Sequence, residues 1–193
     1  DMSKLHDREN EEKLKAIWKE LSENVLDYVV NIMRTHAFVD HSDEINSVYA
    51  LIPIIVYVHK KGKQTLTSSE IKKMVKWFYY SQIRKRYISQ MPQKLDKDIG
   101  ISVRVENPFD ELLNVIKMER SLEIVPEEFI GVDIRNALYS LMRWYFKSKG
   151  AVCFTTGVGI RQNMGEKYVL EWDHIFPYSL LKEKGYGMEN RLK

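Results

Sequence analysis

The chain has 193 residues, 44% of them hydrophobic and 30% charged, with a net charge of +3, which suits one good core or one domain and part of a second. The longest apolar run, Leu51 to Val58, is far too short to cross a bilayer, and the charged start Asp1-Met2-Ser3-Lys4 is no secretory signal. A single cysteine, Cys153, excludes an internal disulfide and any multi-cysteine zinc site, so a cytoplasmic protein with no membrane partner is expected.

The first 150 residues read as helix after helix. Leu14, Ile17, Leu21, Val25, Tyr28 and Ile32 share one stripe at a 3.6-residue period, which predicts a long amphipathic helix over 9–36. A polar turn over 39–43 ends it and is placed to cap the next helix. From Ile45 to Val58 nearly every position is apolar or aromatic, so this helix is expected to be buried on most sides. Pro53 inside it is expected to bend it or remove one hydrogen bond.

Lys60-Lys61-Gly62-Lys63 then stops the chain, with cations on the negative end of the helix dipole. Thr67-Ser68-Ser69-Glu70 is a capping box. The helix it opens is expected to bury Ile71, Met74, Val75 and Phe78. Its opposite face carries Lys73, Trp77, Tyr80 and Arg84; the two rings there either stack on nucleic acid or pack under a neighbouring helix. Asn107-Pro108, with Asp110 and Glu111 next, opens another helix. Ile134, Leu138, Leu141 and Tyr145 are the stripe of a last one, closed by Lys147, Lys149 and Gly150.

After Gly150 the texture changes. Val152 to Thr155 is β-prone, Thr156 to Gly159 is loop-like, Asn163-Met164-Gly165 is a turn, and Tyr168 to Trp172 reads as a strand. A boundary near 150 therefore separates a helical domain, 1–150, from a tail, 151–193.

Charge is segregated along the chain. Between Lys60 and Lys94 there are ten Lys or Arg against one acid, Glu70; between Glu106 and Asp133 eight acids face Lys117 and Arg120. A basic stretch of this kind is either an electrostatic footprint for a polyanion or an unevenly charged solvated surface. On the first alternative Lys73, Arg84, Lys85 and Arg86 are the expected nucleic-acid-binding residues, exposed and paired with phosphates.

The chemistry concentrates at Glu171-Trp172-Asp173-His174-Ile175-Phe176-Pro177, followed by Ser179-Leu180-Leu181. Asp-His at a strand's end offers a hard oxygen ligand for a divalent cation beside an imidazole able to take a proton, and phosphodiester hydrolysis needs both. The dipeptide alone is a weak signal. His36, His41 and His59 lack ligand-like spacing, Cys153 has no base near it in sequence, and Gly157-Val158-Gly159 lacks the strand-to-helix setting of a phosphate loop.

The string from Glu171 to Leu181 resembles the first motif of HNH nucleases, whose site is a β-hairpin plus helix around one metal ion. The resemblance implies that Asp173 is a metal ligand and His174 the general base, with Asn190 as the middle Asn and second ligand of Mg²⁺ or Mn²⁺. The stretches 48–63 and 76–99 resemble the helical middle of GmrSD-type modification-dependent restriction enzymes, with Trp77 and the Arg86-Tyr87 pair at that family's Trp and Arg-Tyr-Ser positions; Ser89 falls one place late. Such proteins join an N-terminal ParB-like nucleotide-binding domain to a C-terminal HNH nuclease and serve phage defence. The ParB-like motif is not in this sequence, and the helix carrying the remaining HNH residues is not reached before Lys193. The expectation is thus a mainly α protein: an irregular helical bundle running into a truncated HNH segment of the ββα-metal type. As a piece it is expected to be inactive and to hold no metal tightly, with DNA and the ParB-like domain as partners. The rival is a non-catalytic helical module that links domains or binds DNA or a protein.

Overall fold

The stripe that begins at Leu14 becomes one continuous rod in the computed structural model, which describes residues 8–62, 64–132, 135–154, 156–161 and 177–186. Helix α1 (Arg8–Glu20) passes through a π turn (Leu21–Val25) into α2 (Leu26–His36), with helical backbone throughout and the Leu26 N–H bonded to the Leu21 carbonyl. Burial follows only the second half of this rod: every residue from 11 to 20 is exposed, so no face of α1 there is covered. Val25, Val29, Ile32 and Met33 are buried, whereas Leu14 and Ile17, expected on the same stripe, stay exposed.

After a 3₁₀ turn at Ser42–Glu44, which His41 Nδ1 caps from the Asp43 N–H at 3.2 Å, a second 3₁₀ turn leads into α3 (Leu51–Lys61). The expected helix over 45–58 therefore starts late, and Asn46, Val48 and Tyr49 ahead of it are exposed. Pro53 lies buried in the first turn of α3, where an α-helix leaves its N–H groups without partners inside the helix. Gly62 ends the helix at φ +62°, a conformation that favours glycine.

Helix α4 (Ser68–Ile83) begins with the predicted capping box: Thr67 Oγ1 accepts from the Glu70 N–H at 3.2 Å, and Glu70 Oε2 accepts from the Thr67 N–H at 2.8 Å. Helix α5 (Met91–Arg104) and helix α6 (Pro108–Glu119) complete this part. Helix α3 packs on α5, α4 on α6, α5 on α6, and α2 against both α3 and α4. The core so enclosed holds Ile54, Tyr57, Met74, Trp77, Phe78, Phe109, Leu112 and Ile116. Long-range polar bonds tie connections to it: Gln82 exchanges two bonds with the Ser47 backbone, at 2.9 and 3.0 Å, and the Lys60 ammonium donates to the Val105 carbonyl at 2.8 Å, just past the end of α5.

The chain divides into two compact units, Asp1–Arg120 and Ser121–Lys193; the change of texture at Gly150 falls inside the second. In that unit a 3₁₀ turn (Pro126–Phe129) precedes α7 (Ala137–Ser148), capped by Asn136 Oδ1 accepting from the Leu138 N–H at 3.1 Å. Ala137, Leu138 and Trp144 are buried on α7, while Tyr145, expected to face inward, is 56% exposed. One antiparallel bridge, Val152 with Gly159, realises the β-prone stretch, and α8 (Tyr178–Glu183) comes later. The described residues are mainly helical and include no strand longer than that bridge. The strand expected at 168–172 lies outside the described residues. No described helix is long and apolar enough to cross a membrane.

Candidate nucleic-acid interface

The expected nuclease residues Asp173, His174 and Asn190 lie outside the described residues. Among those described, no group of three or more His, Cys, Asp or Glu side chains is arranged to hold a metal ion. The basic stretch of α4 and the turn after it, by contrast, fall within them.

Its four expected contacts separate. Lys73 is exposed and its ammonium is held by Asp110 at 2.5 Å. Arg84 is half-buried, and Lys85 is exposed in the left-handed region at φ +53°. Arg86 does not face solvent at all. Its guanidinium is 1% exposed and grips Asp98, itself fully buried, through Nε and Nη2 at 2.9 and 2.8 Å. The third edge reaches Glu119 Oε1 at 2.6 Å, and Lys94 stands 3.4 Å from the other Glu119 oxygen. Tyr87 donates its hydroxyl to Asp98 Oδ2 at 2.6 Å. The reason for the inward turn is chemical: a planar fork satisfies a buried carboxylate with two parallel bonds, and a buried carboxylate needs such a partner.

The network also sets protonation. Burial alone would lower the Arg86 pKa, but the bonds from Asp98 and Glu119 outweigh it and raise it. Burial would raise Glu119; the Arg86 bond and charge overcome that and hold it below the usual carboxylate range. Burial and then the Asp98 charge push Tyr87 up. Each of these three groups is therefore fixed in the charge state that the bonds require. This is a three-way tie of the turn after α4 to α5 and α6. Nothing local in the sequence signals it, because Asp98 and Glu119 stand 12 and 33 residues from Arg86.

The aromatic half of the face resolves the same way. Trp77 is fully buried and its ring centroid lies 5.9 Å from that of Phe109, which in turn meets Tyr57 edge-on at 5.1 Å. Tyr80 is half-buried. Packing, not stacking on a ligand, is what Trp77 does.

Beside this face, between the starts of α4 and α6, Lys61, Thr67, Ser69, Glu70, Lys73 and Glu106 help line an open polar cleft of about 400 Å³. Glu70 Oε1 accepts from the Tyr57 hydroxyl at 2.6 Å and pairs with Lys61 at 2.9 Å, while Oε2 takes the Thr67 N–H and hydroxyl, both at 2.8 Å. Those bonds, Tyr57's first, then those of Thr67 and Lys61, lower the Glu70 pKa from 4.5 to about 2. The cleft's charges answer one another. It offers an incoming anion little uncommitted charge.

Lys72, Lys76 and Lys85 are exposed and make no ion pair among the described residues. Arg84 beside them is half-buried and already engaged. No protein-family model, curated protein or solved structure matches this chain.

Proposed function

We propose that the chain belongs to a metal-dependent HNH DNA endonuclease of the modification-dependent restriction kind, acting in phage defence. The observation that carries this reading is the string Glu171-Trp172-Asp173-His174-Ile175-Phe176-Pro177. Its donor set suits a hard cation: the Asp173 carboxylate and the Asn190 amide oxygen are ligands that Mg²⁺ or Mn²⁺ prefers. When bound, the cation neutralises charge on the phosphate and on the departing oxygen. His174 takes the proton of the attacking water. The exposed lysines of α4 contribute sequence-independent attraction to DNA, and a ParB-like nucleotide-binding domain is the expected partner.

The test uses the longest natural chain that contains these residues, incubated with supercoiled plasmid and Mg²⁺ or Mn²⁺. His174→Ala is expected to abolish nicking while DNA binding persists. Nicking at the unaltered rate in that variant would remove His174 as the base, and no nicking by the parent would remove the reading.

One observation favours the second reading, a helical module that couples domains. Trp77, Arg86 and Tyr87, the residues of the helical part that carry the resemblance, all face inward. They tie the turn after α4 to α5 and α6 and pack α4 on Phe109. A coupling module predicts DNA affinity indifferent to Lys72, Lys76 and Lys85.

A further inference from the structure

The second unit has its own concentration of charge and rings. From residue 134 to residue 165 the sequence has no Asp or Glu, yet it has Arg135, Arg143, Lys147, Lys149 and Arg161. Arg135, Arg143, Lys147 and Arg161 are each already engaged, Lys147 in a buried position, which leaves the exposed Lys149. On the same stretch Tyr145 is 56% exposed, Phe146 42%, Val152 54% and Phe154 102%. A lone exposed ring means little, because folded surfaces are half apolar. A row of them in a segment without acids is different.

The backbone holds these rings near one another. The Ala151 N–H returns to the Phe146 carbonyl at 3.0 Å, the Cys153 N–H bonds the Val158 carbonyl at 2.8 Å, and the Gly157 N–H bonds the Cys153 carbonyl at 2.9 Å. Gly157 takes φ +68°, which closes the turn. Phe154 thus stands three residues past the point tied to Phe146, at most about 10 Å of chain. The Tyr145 and Phe146 rings are 5.8 Å apart, and the Lys149 ammonium sits 5.6 Å from the Tyr145 centroid.

We propose that the segment from Tyr145 to Arg161 binds single-stranded nucleic acid, with Tyr145, Phe146 and Phe154 stacking on bases and Lys149 meeting phosphate. Each nucleotide supplies both things the surface lacks: a flat apolar face and a negative charge. A duplex hides its base faces, and an acidic protein would match the cations but not the row of rings. The inference is independent of the nuclease reading, since none of Asp173, His174 or Asn190 enters it.

Fluorescence anisotropy of a labelled oligo(dT) with the full chain tests it, with a blunt duplex of equal length as comparison. Oligo(dT) is expected to bind tighter than the duplex. Phe154→Ala should weaken oligo(dT) about 5- to 150-fold, Phe154→Trp should restore it, and Lys149→Gln should reduce the salt slope by about 0.7. Phe154 is fully exposed, so its removal takes nothing from the core, and an unchanged thermal melt checks that. Unaltered oligo(dT) affinity in a folded Phe154→Ala chain overturns the proposal. So does a concentration-dependent dimer that Phe154→Ala dissolves while no oligonucleotide binds. If plasmid nicking fails but oligo(dT) binding holds, only the nuclease reading falls; the reverse result removes this one alone.

Discussion

Replacing Asp98 should unfold much of the first unit, and the structure gives the size of the effect. Asp98→Ala leaves the Arg86 guanidinium, 1% exposed, with only Glu119 as its anion, and strips the Tyr87 hydroxyl of its acceptor. Breaking a buried pair by removing one partner costs roughly 3–5 kcal/mol. An unsatisfied buried hydroxyl adds about 1–3 kcal/mol. The sum, about 4–8 kcal/mol, is comparable with the whole stability of an ordinary domain, about 5–15 kcal/mol. The milder Asp98→Asn keeps the shape and one acceptor, so it should lose less. The informative control is Arg86→Met with Asp98→Leu and Tyr87→Phe, which removes the charges and the stranded hydroxyl together. That triple variant should recover most of the loss, because the penalty lies in the uncompensated group and not in the absence of the pair. Urea unfolding followed by far-ultraviolet circular dichroism reads all three, with the midpoint shifting and the slope constant. An Asp98→Ala cost under about 1 kcal/mol, or a triple variant no better than the single one, would refute this account of the network.

The first unit carries three further expectations. Glu70, held near pKa 2 against an ordinary 4.5, contributes stability that is present above the unfolded value and lost as pH falls from about 4.5 towards 2; Glu70→Gln should flatten acid unfolding in that window, and an unchanged acid limb would contradict it. Trp77→Ala should cost about 3–5 kcal/mol by thermal or urea unfolding, whereas a loss of DNA affinity with unaltered stability would return Trp77 to the ligand face. Neutralising Lys72, Lys76 and Lys85 to Gln should lower the salt slope of duplex DNA binding by about 0.9 for each phosphate they neutralise; an invariant slope would assign that face to domain coupling.

The helices are legible where the local signals are strong. The capping box at Thr67, the Asn107-Pro108 start and the Gly62 stop each depend on residues within a few positions of one another, and each is where the sequence places it. Helix α5 gives no comparable signal, because Pro92 and Gly100 interrupt its pattern; the proline is harmless in the first turn, and the glycine is tolerated beside Ile101 and Ser102 in a packed stretch. The exposure of α1 is hidden because Leu14 and Ile17 continue the period of Val25 and Ile32, and a stripe does not say whether a partner covers it. Arg86 misleads for a related reason. Whether a cation faces water or a carboxylate depends on chain that returns from far along the sequence, and Asp98 and Glu119 return here.

That return changes what a linear count of charge means. The acids concentrated after Glu106 fold back on the cations concentrated before Lys94: Asp110 takes Lys73, and Glu119 takes Arg86 and Lys94. Glu70, the one acid inside the basic stretch, takes Lys61. Segregation along the chain has become neutralisation in space, and Lys72, Lys76 and Lys85 are the exposed cations of α4 and its turn left without an ion pair among the described residues. In the second unit the run from 134 to 165 contains no acid, and the rings of Tyr145, Phe146 and Phe154 face outward. Polyanion affinity in this chain should accordingly fall more steeply with Phe154 and Lys149 than with Lys73.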